Sequence, residues 1–229
     1  MPEPDAEWVT TFLSAPRFKA YVRDCEGDET VALTLYWWNI DVSAAFYPPL
    51  SIFEVILRNA LHEELTYHYA RPEWWTVARP AGDGAHLIAA AQRKLTWTCG
   101  HTPTADDVVA AMSFGFWVSL LSRSNEELMW RPALYRAFRP SYRGSRREMH
   151  SHLEHLRMFR NRIMHHEPVH MRHLEADRRR IYELSEYLAP GATTMLQRMD
   201  RLAHVLDRRP LPYLGSGRQR PAGNGAGPA

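Results

Sequence analysis

Met149, Leu153, Leu156, Phe159 and Ile163 are spaced at intervals of 4, 3, 3 and 4. This is the repeat of one face of an α-helix, and it is incompatible with a strand, whose faces alternate at every second residue. The same period runs through Val31, Leu35, Trp38 and Val42, and again through Ile52, Phe53, Ile56, Leu57, Ala60 and Leu61. No stretch alternates apolar and polar residues in the manner of a half-buried strand, and there is no internal repeat. The pattern predicts an all-α fold, a helical bundle of about seven to nine helices.

Punctuation divides the chain further. Short helices are expected at Glu7 to Leu13 and Arg17 to Asp24, split by Ser14-Ala15-Pro16. Asp28 can cap a helix reaching Phe46. Pro48-Pro49 should close it, because proline lacks an N–H and clashes with the preceding turn, so that a separate helix runs from Leu50 to Tyr69. Arg71 to Gly84 reads as a loop with Trp74-Trp75 packed down. Helices follow over Ala85–Trp97, from a Thr104 cap to Leu121, over Glu126–Phe138, over Ser145–His166, over Leu174–Leu188 and over Thr193–Arg208. From Pro210 the residues are mostly Pro, Gly, Ser and Arg, a composition that cannot bury a core. The expected organisation is one helical domain over residues 1–209 and a disordered tail over 210–229.

An apolar content of 45% with 8 Trp, 10 Tyr and 8 Phe is enough for a packed interior. The net charge of +2 gives no global signature of nucleic-acid binding. Two cysteines, Cys25 and Cys99, make no disulfide framework. The polar start Met1-Pro2-Glu3-Pro4-Asp5 is unlike a secretory signal, and no long apolar run is evident. A cytoplasmic protein with no membrane partner is expected.

The chemistry-bearing residues gather in Arg160-Asn161-Arg162-Ile163-Met164-His165-His166-Glu167-Pro168. A permanent cation, an amide and imidazoles that titrate near neutrality suit the handling of a phosphodiester. Spacing alone is weak evidence, since Arg147 and His152 are separated by the same interval. The context is distinctive: an adjacent Asn161, a doubled histidine and a proline that stops the helix. The overlapping His166-Glu167-Pro168-Val169-His170 spells the zinc-hydrolase pattern H-E-x-x-H, which needs both histidines on one continuous helix. Pro168 stands between them, so no metal or other cofactor is expected.

Arg160-Asn161-x-x-x-His165-His166 resembles the R-N-x-x-x-H-H motif of Abi-like (abortive-infection) proteins, a branch of the HEPN superfamily. The likeness extends to Leu35-Tyr36-Trp37-Trp38-Asn39, to the run from Pro49 to Ala60, and to Ser113-Phe114-Gly115-Phe116-Trp117, spanning about residues 30 to 208. Glu167-Pro168 departs from some branches of the family. The resemblance implies an α-helical bundle and metal-independent RNA cleavage by a homodimer. It also implies an antitoxin, a protein or a small RNA, as a further partner. Carried over by position, Arg160 and His165 are the catalytic pair and Asn161 is the motif's asparagine in support. His166 is read as a supporting neighbour packing on the helix edge, not a second catalyst.

On a helical wheel Arg160 falls inside the apolar stripe, where a charge is costly unless it is paired or used. One reading pairs it structurally with a core carboxylate such as Glu54; the other aims it at a phosphate. His165 lies about 140° from Arg160, so a single straight helix does not bring the two together. Either the last turn distorts or two chains build the site. Position at a helix C-terminus favours positive charge there, which suits delivery of a proton. Arg58, Asn59 and His62 echo the motif upstream, with Asn59 expected to be buried and Arg58 an interhelix contact. His150, His152 and His155 diverge too widely around one helix for three metal ligands. Trp37-Trp38 and Trp74-Trp75 could stack bases, but core packing is the expectation.

Overall fold

The structure, a computed structural model, describes residues 6–99, 102–138 and 141–210. The polar start, Gly100 and Pro140 of the expected loops, and the tail beyond Pro210 lie outside them. Every regular element among the described residues is helical, so the chain is all-α. The α-helices are α1 (Ala6–Val9), α2 (Ala15–Asp24), α3 (Glu29–Tyr69), α4 (Gly84–Cys99), α5 (Ala105–Ala111), α6 (Phe114–Ser119), α7 (Arg146–Met164), α8 (Leu174–Leu188), α9 (Ala192–Met199) and α10 (Leu202–Asp207). The chain divides into two compact units, one formed up to Val42 and again from Arg201, the other formed by Ser43–Asp200.

The largest departure from expectation is α3. Pro48 and Pro49 lie inside one helix of 41 residues and do not end it. Each interior proline costs about 3 kcal/mol or more. The apolar stripe, however, keeps its phase across them: Val42, Phe46, Leu50, Phe53, Leu57, Leu61 and Leu65 are all buried at spacings of three or four. Burying each such side chain stabilises by about 1.5–3 kcal/mol, enough to hold the helix through the interruption. Joined in this way, the helix contradicts the expected absence of a long apolar run. An 18-residue window of it reaches a mean hydropathy of 1.4, long and apolar enough to cross a bilayer, and 39% of that window is buried inside the protein. A core helix meets the same test.

Other boundaries shift for local reasons. Thr104 caps α5 through a reciprocal capping box with Asp107. The expected single helix to Leu121 is interrupted at Met112, whose backbone is extended, because the Ser113 hydroxyl accepts the Phe116 N–H and starts α6. Between Arg123 and Phe138 the chain forms 3-10 and π turns in place of an α-helix. Pro132 has no N–H to sustain one, and Arg131 bonds five residues back to the Glu126 carbonyl. The expected final helix is two, α9 and α10, parted at Asp200.

In the first unit Val9, Phe18, Tyr21, Leu35, Trp38 and Leu202 are buried. The Trp38 indole donates to the Val205 carbonyl at 2.8 Å. In the second, Phe46 of α3 meets Phe159 of α7 edge-on at 4.7 Å, and Phe53 meets Phe114 at 6.0 Å. Met149, Leu153, Leu156, Phe159 and Ile163 are all buried, so α7 lies with its predicted stripe inward. This packing sets where the motif side chains emerge.

Candidate functional site

Helix α7 is anchored at its start by a second capping box, in which Ser145 accepts the Glu148 N–H and Glu148 accepts the Ser145 N–H. Those bonds hold the Glu148 carboxyl below the usual carboxylate range. Arg146 ties the first turn to the Leu121 carbonyl at 2.6 Å and to Glu126 at 3.0 Å. The far end, where the motif lies, is stopped as tightly. His165 leaves helical geometry with φ −92° and ψ 8°, and His166 takes φ +57°. The His166 N–H bonds the Ile163 carbonyl at 3.0 Å and the Glu167 N–H bonds the Arg162 carbonyl at 2.8 Å. This is the Schellman arrangement, built on a histidine where glycine is usual. Arg162 braces it, its guanidinium 3.5 Å from Glu167 and 2.7 Å from the Pro168 carbonyl.

Arg160 leaves the apolar stripe towards α3, where its Nε lies 3.4 Å from Glu54 Oε2, both side chains partly exposed at 33% and 26%. The pair lines a cleft of about 100 Å³ with Tyr47, Leu50, Ser51 and Met164. That is smaller than a site for a whole small-molecule ligand. The structural pairing anticipated for Arg160 is thus present within the chain. Asn161 is half-buried, and its backbone carbonyl accepts the His165 N–H at 2.9 Å. His165 and His166 are both exposed beyond the last turn. The helix stays regular to Met164, and the backbone departs from helical geometry only at His165.

The H-E-x-x-H overlap lacks the helix it needs: His166 is exposed in the left-handed region past the helix end, and His170 is buried. Upstream, Arg58 donates to the neighbouring Asn59 amide at 3.2 Å. Asn59 is exposed, not buried as expected, because it falls on the outer side of α3 opposite Leu57 and Leu61. His62 accepts the Trp74 indole N–H at 3.2 Å. Burial lowers its pKa by disfavouring the charged imidazole. His62 is about 12 Å along α3 from Glu54, two turns away from the cleft.

One cluster had no local sequence signal. Asp177 of α8, only 3% exposed, takes the Arg172 guanidinium on both oxygens at 2.9 and 3.0 Å and meets His155 Nε2 at 2.7 Å. Arg172 also stacks over Phe159 at 4.7 Å. The group pins α7 to α8 and fixes the loop that follows the motif; its members are 5 to 22 residues apart, so no short pattern reveals it. Of the tryptophans proposed for the core, Trp38, Trp74 and Trp75 are buried and Trp37 is at the surface.

Set against family models, proteins of described function and solved structures, the chain matches none.

Proposed function

We propose that this protein is a metal-independent endoribonuclease of HEPN, Abi-like type, a toxin or phage-defence effector acting on cellular RNA in the cytoplasm. The observation that carries this reading is the end of α7. A partly exposed arginine lines a small cleft, and one turn later the helix halts so that two histidines face solvent beside an asparagine.

Cleavage without a metal needs the ribose 2′-hydroxyl to lose its proton and attack phosphorus while the 5′-oxygen leaves and is protonated. His165 transfers the proton. Arg160 stabilises the charge of the pentacoordinate phosphorane, exchanging Glu54 for a phosphate oxygen. Asn161 orients the phosphate or the imidazole, and His166 holds the chain reversal. The products are a 2′,3′-cyclic phosphate and a 5′-hydroxyl.

On an ideal helical wheel Arg160 and His165 fall about 140° apart, so one straight helix makes a poor site. A homodimer with two motif ends around a shared cleft resolves this, since a twofold interface presents each residue twice. Specific activity should then fall on dilution below the dimer dissociation constant. A monomer by sedimentation at full activity would exclude the shared cleft.

The Arg160–Glu54 pair favours a second reading, a non-catalytic helical module that binds RNA or protein and keeps the motif for structure. Expression in cells separates the two. Wild type should arrest growth with loss of RNA integrity, His165→Ala should do neither, and an antitoxin should restore growth. Growth arrest by His165→Ala with RNA intact would favour the non-catalytic module.

A further inference from the structure

Trp97 is 88% exposed, the most exposed large apolar side chain among the described residues. It stands on α4 four residues after Arg93, hence on the same face, and the two line a shallow groove with Ala89, Gln92 and Thr96. The Thr96 hydroxyl is turned to the Gln92 carbonyl at 2.9 Å. An indole face, a guanidinium and an amide are left as the chemistry of the groove. Ile88 and Ala91 hold the opposite side of α4 against the core, so Trp97 is outside by the helical phase and not by local unwinding.

Charge selects the occupant. Helix α4 has His86, Arg93 and Lys94 and no carboxylate, and it is the only helix of ten or more residues so composed among those described. Among the described residues neither Arg93 nor Lys94 forms an ion pair. An unpaired cation beside a bare aromatic face is the combination that binds single-stranded nucleic acid, with the ring stacking a base and the cation meeting the backbone phosphate. A protein partner with an apolar face would leave two cations to be buried unpaired, which is costly.

We infer that the outer face of α4 is a single-stranded RNA site, with Trp97 stacking a base and Arg93 contacting the adjacent phosphate. It positions substrate from outside the motif and rests on the ribonuclease reading only for the identity of the strand as substrate. Because every base has a π-face, the site is tolerant of sequence.

The test is binding of a fluorescein-labelled 12-residue oligouridylate, followed by anisotropy, in the full chain with His165→Ala so that the strand is not cut. Adding Trp97→Ala should weaken binding about 5- to 150-fold, while Trp97→Phe keeps most of it. Adding Arg93→Ala should also lower the slope of log affinity against log salt by about 0.7. Equal binding with and without Trp97, or no binding by the His165→Ala parent, overturns the site, as does loss of self-association alone in Trp97→Ala. Failure of the wild type to cut RNA while binding still depends on Trp97 refutes the catalytic reading and leaves this site standing.

Discussion

The guanidinium of Arg160 on α7 lies 3.4 Å from the carboxylate of Glu54 on α3, across the mouth of a cleft beside the motif. That contact is either the purpose of Arg160 or its resting state. The Arg160 and Glu54 side chains are 33% and 26% exposed, so solvent screening limits the net worth of the pair to below about 1 kcal/mol. Glu54→Gln should therefore leave the unfolding midpoint nearly unchanged. If Arg160 serves a phosphate, the same substitution should tighten RNA binding, measured as a lower KM, because a competing anion is gone. Weaker RNA binding in Glu54→Gln would show that the carboxylate is needed to place Arg160.

His166 holds a left-handed backbone that costs an L-residue about 1–2 kcal/mol, although histidine tolerates it better than most. His166→Gly should keep or raise stability by up to about 1 kcal/mol. His166→Val should lose about 1–2 kcal/mol, since a β-branched residue is poorly suited to that region. Denaturant midpoints of the two variants decide the matter. Identical midpoints would mean that the Schellman turn is not what ends α7.

Asp177 is buried beneath Arg172 and His155. Removing a buried partner leaves the remaining charge uncompensated, usually at about 3–5 kcal/mol. Here Arg172 and His155 keep some contact with water, so Asp177→Ala should cost about 2–3 kcal/mol by urea denaturation. A loss below about 0.5 kcal/mol would remove this cluster as the tie between α7 and α8.

His62 gives a pH signature. Its folded pKa lies below the ordinary value of 6.5, chiefly because burial disfavours its charged form. The unfolded chain thus binds the proton more readily, and stability falls as the pH drops below about 6.5 until the folded group also titrates. At higher pH the group is neutral in both states and adds no slope. Thermal melts at pH 8 and pH 5 should show a smaller fall for His62→Gln than for wild type. An unchanged fall would place the acid sensitivity elsewhere.

Much of the architecture was legible because helical period is a local property. The stripe of α7, the Ser145 and Thr104 caps and the limits Leu174–Leu188 follow from neighbours within a few residues. The continuity of α3 was not, although its signal was present: the phase from Val42 to Phe46 to Leu50 to Phe53 never breaks, and tertiary burial outweighed two prolines. The motif was legible as a group, as was Glu54 as a partner for Arg160. The Asp177 cluster was not, because its members meet only once α8 folds back on α7. Trp97 lies opposite the α4 stripe, and a wheel drawn on Ile88 and Ala91 would have put it outside.

Whether Arg160 and His165 cut RNA without a metal is read from cleavage of single-stranded RNA by purified wild type, Arg160→Ala and His165→Ala in excess chelator, with the new ends identified by mass. Wild type should cut and leave a 2′,3′-cyclic phosphate, and each variant should be slower by about 10²–10⁴-fold while still folded. Equal cleavage by wild type and His165→Ala, or activity lost in chelator and regained with zinc, would contradict metal-free cleavage by this pair.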